Sequence, residues 1–177
     1  MKKIIAFGAS NSRNSINKLF ATYVTSQLEN TITTVLDLND YELPLYSPDL
    51  EMVTGIPKKA IDFDQLLKSA DGIILSMAEY NGLPTAAFVN LFDWLSRIDM
   101  NVWKNNPILL MAVSPGGRGG ANVLKIMNEL MPFFGGQVIT SFSLPSFPKN
   151  FQEGRLINEE LDKELSEKIQ LFQQSLQ

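Results

Sequence analysis

Hydrophobic and polar positions along the chain fall into two alternating kinds of segment. Five short apolar runs read as buried strands, and the stretches between them carry helical spacing. The first run, Lys2–Ala9, lacks polar alternation, as expected of a parallel strand covered on both faces. Behind it Ile16, Leu19, Phe20, Tyr23, Val24 and Leu28 recur at three- and four-residue steps, an amphipathic helix that Asn14 or Ser15 can cap. Residues 33–38 predict a second strand. Residues 41–55, interrupted by Pro44 and Pro48, read as a long loop, and Pro57 opens a helix running to about residue 70. Residues 73–78, Pro107–Val113 and Gln137–Leu144 predict strands three to five. The helix over about residues 85–98 is apolar on more than one face, which predicts burial against the sheet on one side and against a second subunit on the other. Val123, Leu124, Met127, Leu130, Met131 and Phe134 form a helical stripe that stops at Gly135-Gly136. Residues 145–154 read as irregular. A last helix over about residues 158–176 carries Leu161, Leu165, Ile169, Phe172 and Leu176 on one stripe.

Strand–helix units in succession predict an α/β fold with a parallel sheet and helices on both faces. For five strands this is a three-layer, flavodoxin-like sandwich in the order 2-1-3-4-5, and residues 1–177 read as one domain. In such a sheet ligands bind at the carboxyl ends of the strands, near the switch point in strand order. Three unusual loops fall there: residues 10–17 after strand one, 79–83 after strand three and 114–120 after strand four. The first is small and hydroxyl-rich, with no acidic residue in the turn that follows and with Arg13 and Lys18 nearby. A helix start of that kind either holds an outside anion such as phosphate or is an ordinary Ser/Asn cap. The third has four glycines in the five positions 116–120, as backbone that needs unusual dihedrals or close approach by a flat group. Neither G-x-G-x-x-G nor a P-loop follows strand one, which argues against a usual dinucleotide or ATP site.

Composition narrows the chemistry. The chain has no cysteine and no histidine, which excludes disulfides, thiolate metal sites, His-ligated zinc and Ser-His-Asp or Cys-His triads. Asp37, Asp40 and Asp49 match no EF-hand spacing, and no metal site is expected. The formal charge of −4 argues against nucleic acid or an anionic membrane as partner. Lys2-Lys3 precede an apolar run too short for an export signal, and no run reaches a membrane span, so a cytoplasmic protein is expected. Any chemistry must then run without the usual neutral-pH base, or on a cofactor.

Taken together, the three loops resemble those of the NADPH-dependent FMN reductase family, which includes quinone, azo and chromate reductases. The family loop G-S-x-R-x-x-S-x-N is matched by Ala9-Ser10-Asn11-Ser12-Arg13-Asn14-Ser15-Ile16-Asn17. Its P-E-Y-N-G-S-x-P stretch is matched by Ala78-Glu79-Tyr80-Asn81-Gly82-Leu83-Pro84, with Asp93-Trp94-Leu95-Ser96-Arg97 following, and its Ser/Pro/Gly loop by residues 114–120. The resemblance implies an FMN oxidoreductase that takes hydride from NADPH or NADH and passes electrons to a flavin, quinone or similar flat acceptor in a ping-pong scheme. It implies that Ser10, Ser12, Ser15, the Ile16 backbone and Asn17 bind the FMN phosphate. Glu79, Tyr80, Asn81 and Gly82 would line the flavin ring, with Ser114, Gly116 and Gly117 on its other side. No protein side chain would be a nucleophile or catalytic base. A homodimer or homotetramer is implied, closed over the flavin by the helices after strands three and four.

Ala9 and Ser12 stand where the family has Gly and Arg, and Arg13 is a candidate to replace that lost cation. Ala78 and Leu83 replace Pro and Ser. Glu79 is expected to hydrogen-bond within its own loop, Trp94 and Trp103 to sit in core or interface, and Arg118 either to face solvent or to meet the flavin edge or the incoming nucleotide. The rival readings are a flavodoxin-like FMN electron carrier and a binding module that has lost its flavin.

Overall fold

The computed structural model describes residues 1–176, so residue 177, the last of the expected 1–177 domain, lies outside the description. The elements in chain order are β1 (Lys2–Ala9), α1 (Ile16–Thr25), β2 (Thr31–Leu36), a 3₁₀ turn (Leu38–Tyr41), α2 (Pro48–Thr54), α3 (Lys58–Lys68) and β3 (Gly72–Met77). A small hairpin, β4 (Glu79–Tyr80) and β5 (Leu83–Pro84), leads to α4 (Ala86–Ile98). Then come β6 (Pro107–Val113), α5 (Ala121–Leu130), a 3₁₀ turn (Met131–Phe134) and β7 (Gln137–Leu144). The chain ends with α6 (Phe147–Asn150), the hairpin β8 (Phe151–Gln152) and β9 (Arg155–Leu156), and α7 (Glu159–Ser175).

The five long strands form one parallel sheet in the order β2-β1-β3-β6-β7, the expected 2-1-3-4-5 once the hairpin strands are set aside. Period-two alternation sorts the side chains of each strand to opposite faces. Ile5, Phe7, Ile73, Leu75, Ile108 and Leu110 point to the α3–α4–α5 layer. Ile4, Ala6, Ile74, Leu109, Met111 and Phe142 point to α1 and α7. Every residue of β3 is buried, which explains why the central runs show no polar positions.

Two expectations are corrected. Residues 41–55 are not a structureless loop: they contain α2, with Ser47 accepting from the Leu50 N–H and Pro48 in the first turn. The segment buries none of its own α2 residues. It is held instead by polar contacts to α4, since Trp94 Nε1 donates to Pro44 O at 2.8 Å and Arg97 Nε to Glu51 Oε2 at 2.9 Å. Residues 145–154 are not irregular either, because α6 and the β8–β9 hairpin place Phe147, Phe151 and Leu156 in the second core face.

The doubly apolar helix α4 is explained largely within the chain. Phe88, Leu91, Trp94 and Leu95 are buried, Phe92 packs edge-on to Phe134 at 4.7 Å, and Tyr46 covers Trp94. Val89, with Leu45, Met52 and Val53 on the strap formed by residues 41–55, stays exposed. Trp94 and Trp103 are both in the core. No helix among the described residues is long and apolar enough to cross a membrane.

Candidate functional site: a serine-lined cavity at the strand ends

The carboxyl ends of β1, β3 and β6 meet at one cavity of about 190 Å³. Its floor depends on Gly8. A Cβ there would lie 2.3 Å from the Lys18 nitrogen and 2.8 Å from the Asn17 carbonyl carbon, so only glycine lets the start of α1 come this close to β1. Ser15 caps α1 by accepting from Lys18 N–H, and the first turn holds no acidic residue. The N–H groups of Ile16 and Asn17 have no carbonyl one turn back to bond to, and they open toward the cavity that both residues line. Ser10 is buried, and its Oγ accepts from Ser12 N–H at 3.1 Å. Ser10 and Ser15 therefore each accept a backbone bond on oxygen and keep an O–H to donate. Hydroxyls, first-turn N–H groups and a helix dipole uncomplemented by acid make an anion cradle.

Asn17 behaves differently from a ligand-binding side chain. It is buried, and its amide is committed to the sheet: Nδ2 donates to Val113 O at 3.1 Å, and Oδ1 accepts from Val113 N at 3.0 Å and Ser76 Oγ at 2.7 Å. What Asn17 offers the cavity is its backbone N–H. Lys18 is also engaged, pairing with Asp37 at 2.5 Å. That hydrogen bond holds the Asp37 carboxyl below the usual carboxylate range.

The β4–β5 hairpin forms the next wall. Glu79 and Tyr80 line the cavity, Tyr80 half exposed, while Asn81 (φ 55°) and Gly82 (φ 81°) make the left-handed turn outside its lining. Sequence predicts that Glu79 bonds within its own loop; instead it accepts from Val123 N–H in the first turn of α5 at 2.9 Å. The carboxylate complements that helix start and locks hairpin to helix. Thr85 does the same for α4, accepting from Phe88 N–H while donating to Ala9 O at 3.0 Å.

The third wall is the loop after β6. Ser114 and Pro115 line the cavity, and Ser114 Oγ accepts from Gly116 N–H at 3.0 Å. Gly119 (φ 58°) needs glycine, since a Cβ would meet Ser143 Oγ at 2.2 Å. Gly117 does not: its φ is ordinary and nothing lies within 4 Å of where a Cβ would stand. The chain's own packing gives no reason for a bare backbone at this exposed position. Gly116 and Gly117 flank the cavity without lining it, and Arg118 is exposed.

Eight of the twelve sequence-predicted site residues thus line one cavity: Ser10, Ser12, Ser15, Ile16, Asn17, Glu79, Tyr80 and Ser114. Asn14, Ala78, Val113 and Pro115 also line it and were not singled out, although each adjoins a predicted position. Arg13, the candidate to replace the missing cation, does not line this cavity but a different one on the far side of the same loop.

Residues 2–149 match the family model of NADPH-dependent FMN reductases. The chain belongs to this family. Among curated relatives, the NADPH azoreductase of Bacillus sp. (strain OY1-2) is 30% identical over 131 residues, covering 71% of this chain and 66% of the relative. The quinone reductase of Escherichia coli (strain K12) is 28% identical over 98 residues, covering 55% and 52%. The chain therefore spans between half and two thirds of the length of these relatives. Among solved structures, the flavoenzyme FerB, an NAD(P)H:(acceptor) oxidoreductase from Paracoccus denitrificans, superposes with a TM-score of 0.78 at 22% identity, covering 99% of this chain and 97% of that one. At that identity the likeness shows the fold alone.

Proposed function

We propose that this member of the FMN reductase family binds FMN in the serine-lined cavity. It uses NADPH or NADH to reduce a quinone, flavin or similar flat acceptor. The observation that carries the reading is the anion cradle at the start of α1, set beside a loop with unfilled space at Gly117. Bound FMN would supply the two-electron exchange with donor and acceptor in turn. The protein's part is to hold and expose. Ser10, Ser12 and Ser15, with the Ile16 and Asn17 N–H groups, grip the phosphate. The hairpin turn at Asn81-Gly82 and the 114–117 loop flank the ring, and exposed Tyr80 borders its open side. No titrating side chain is required, in keeping with a chain that lacks histidine and cysteine. Glu79, bonded to Val123, serves the wall rather than the chemistry.

The enzyme acts as a cytoplasmic homodimer or homotetramer of one-domain subunits. Met52, Val53 and Val89 are exposed apolar side chains on the α2–α4 side that a second copy would cover.

The test is a visible spectrum of purified protein with added FMN, before and after anaerobic NADPH. A bound-flavin spectrum with one FMN per chain, bleached within turnover time, supports the enzyme. Flavin that stays oxidised supports an electron carrier, and protein that binds no FMN refutes the reading.

A further inference from the structure

A second cavity, larger than the serine-lined one, opens among the described residues. It measures about 510 Å³, a size typical of small-ligand sites, and lies behind the loop after β1. That loop is a partition. Ser10, Ser12, Asn14 and Ser15 face the smaller cavity, whereas Asn11 and Arg13 face the larger. The opposite wall is the segment around Tyr41, Glu42 and Leu43, and the floor includes Ala86, Ala87 and Leu91 of α4.

Hydrogen bonds and an aromatic contact tie the walls together. Asn90 donates to Leu43 O and Pro44 O and accepts from Tyr46 N–H. Tyr41 packs edge-on to Phe63 at 4.9 Å. Asp37 caps the 3₁₀ turn by accepting from Asn39 N–H. Beside this frame Arg13 is exposed and enters no ion pair among the described residues, while the neighbouring cation Lys18 is already paired to Asp37. A free guanidinium, a half-buried tyrosine over leucines, the Asn11 amide, and a carboxylate at Glu42 able to accept from ribose hydroxyls make a chemically consistent set. It suits a purine nucleoside phosphate.

We propose that the larger cavity takes the adenosine phosphate half of the nicotinamide dinucleotide, with Arg13 on a phosphate. The proposal rests on the serine-lined cavity being the FMN site. The nicotinamide then meets the flavin on one side of the partition while the rest of the donor crosses it. Arg13 becomes the residue that sets affinity for the donor.

The experiment titrates adenosine 2′,5′-bisphosphate, and separately 5′-AMP, into the FMN-loaded protein by calorimetry. It uses wild type, Arg13→Ala and Ala86→Trp, the last placing a bulky ring into the cavity from an exposed position. Expected is binding of the bisphosphate that competes with NADPH, weakened roughly tenfold by loss of one charge-assisted contact in R13A and abolished in A86W. In turnover, R13A should raise the KM for the dinucleotide with kcat and the KM for quinone held. If R13A weakens the bisphosphate but not AMP, Arg13 reads the 2′-phosphate and the donor is NADPH. Equal weakening of both places it on the 5′-phosphate side. The proposal is overturned if FMN-loaded, NADPH-oxidising wild type binds neither ligand, or if both variants bind as wild type does. Loss of FMN binding in the wild type would instead overturn the reading beneath it.

Discussion

Removing the Asn17 side chain separates a structural role from a ligand-binding one. Asn17→Ala deletes three buried hydrogen bonds, two to the Val113 backbone and one from Ser76. Each intramolecular bond contributes about 1 kcal/mol net, and a buried group left unpaired costs about 1–3 kcal/mol. Val113 is nearly inaccessible and Ser76 fully so, and water does not replace the lost partner without opening the sheet end. The sum is a destabilisation of about 3–5 kcal/mol, a large share of a typical domain's ~5–15 kcal/mol. At about 2–4 °C per kcal/mol for a chain of this size, the melting temperature should fall by roughly 6–20 °C. The assay is urea and thermal unfolding of the flavin-free protein, followed by FMN titration of the folded variant at low temperature. Most of the loss should appear without flavin. FMN affinity should fall by less than about tenfold, because the Asn17 N–H remains in place. A variant as stable as wild type that no longer binds FMN would refute the assignment and return the side chain to the phosphate.

Four further outcomes follow from the geometry. Gly117→Val should leave unfolding free energy within about 0.5 kcal/mol of wild type yet lower FMN affinity, measured by fluorescence quenching; a stable variant with unchanged affinity would remove the ligand-based reason for the bare backbone. Gly8→Ala should destabilise by more than about 2 kcal/mol and weaken FMN binding, since its Cβ collides with α1 backbone rather than a mobile side chain. Glu79→Ala should speed hydrogen exchange at Val123 and in the hairpin, whereas Glu79→Gln, which keeps an acceptor, should restore most of the protection. Asp37 has a depressed folded pKa, so its pairing with Lys18 stabilises above the unfolded value of about 3.9 and is lost as pH falls through the lower folded value. The pair is part-exposed and contributes at most about 1 kcal/mol. Wild type should exceed Asp37→Asn near pH 7 and the two should converge toward pH 2, as read by denaturant unfolding across that range.

The sheet was legible because its strands are buried on both faces and leave unbroken apolar runs, as in Ile73–Met77 flanked by Asp71 and Asn81. The loops were legible because serine, glycine and asparagine cluster where strands end. What escaped was information held between distant residues. Glu79 and Val123 are 44 positions apart, and nothing local indicates that a loop carboxylate will cap another helix. The strap of residues 41–55 was misread because its prolines suggested a break, although Ser47-Pro48 with Asp49 and Glu51 behind them is a helix-start pattern. Asn17 sat correctly in the motif, but only the fold reveals that its amide bridges β3 and β6. That Arg13 lines the cavity on the other side of its loop was not legible either, because spacing along an irregular segment does not say which way successive side chains face.

The partition has a consequence for how such a protein diversifies. Neighbouring positions of one short segment address separate chambers, so under the proposed assignments residues 11 and 13 would be free to vary with the electron donor while 10, 12 and 15 stayed tuned to the flavin. A point substitution retunes one chamber alone. A single inserted or deleted residue re-registers both at once, so lineages with new donor preferences should differ here by replacement and keep the loop's length.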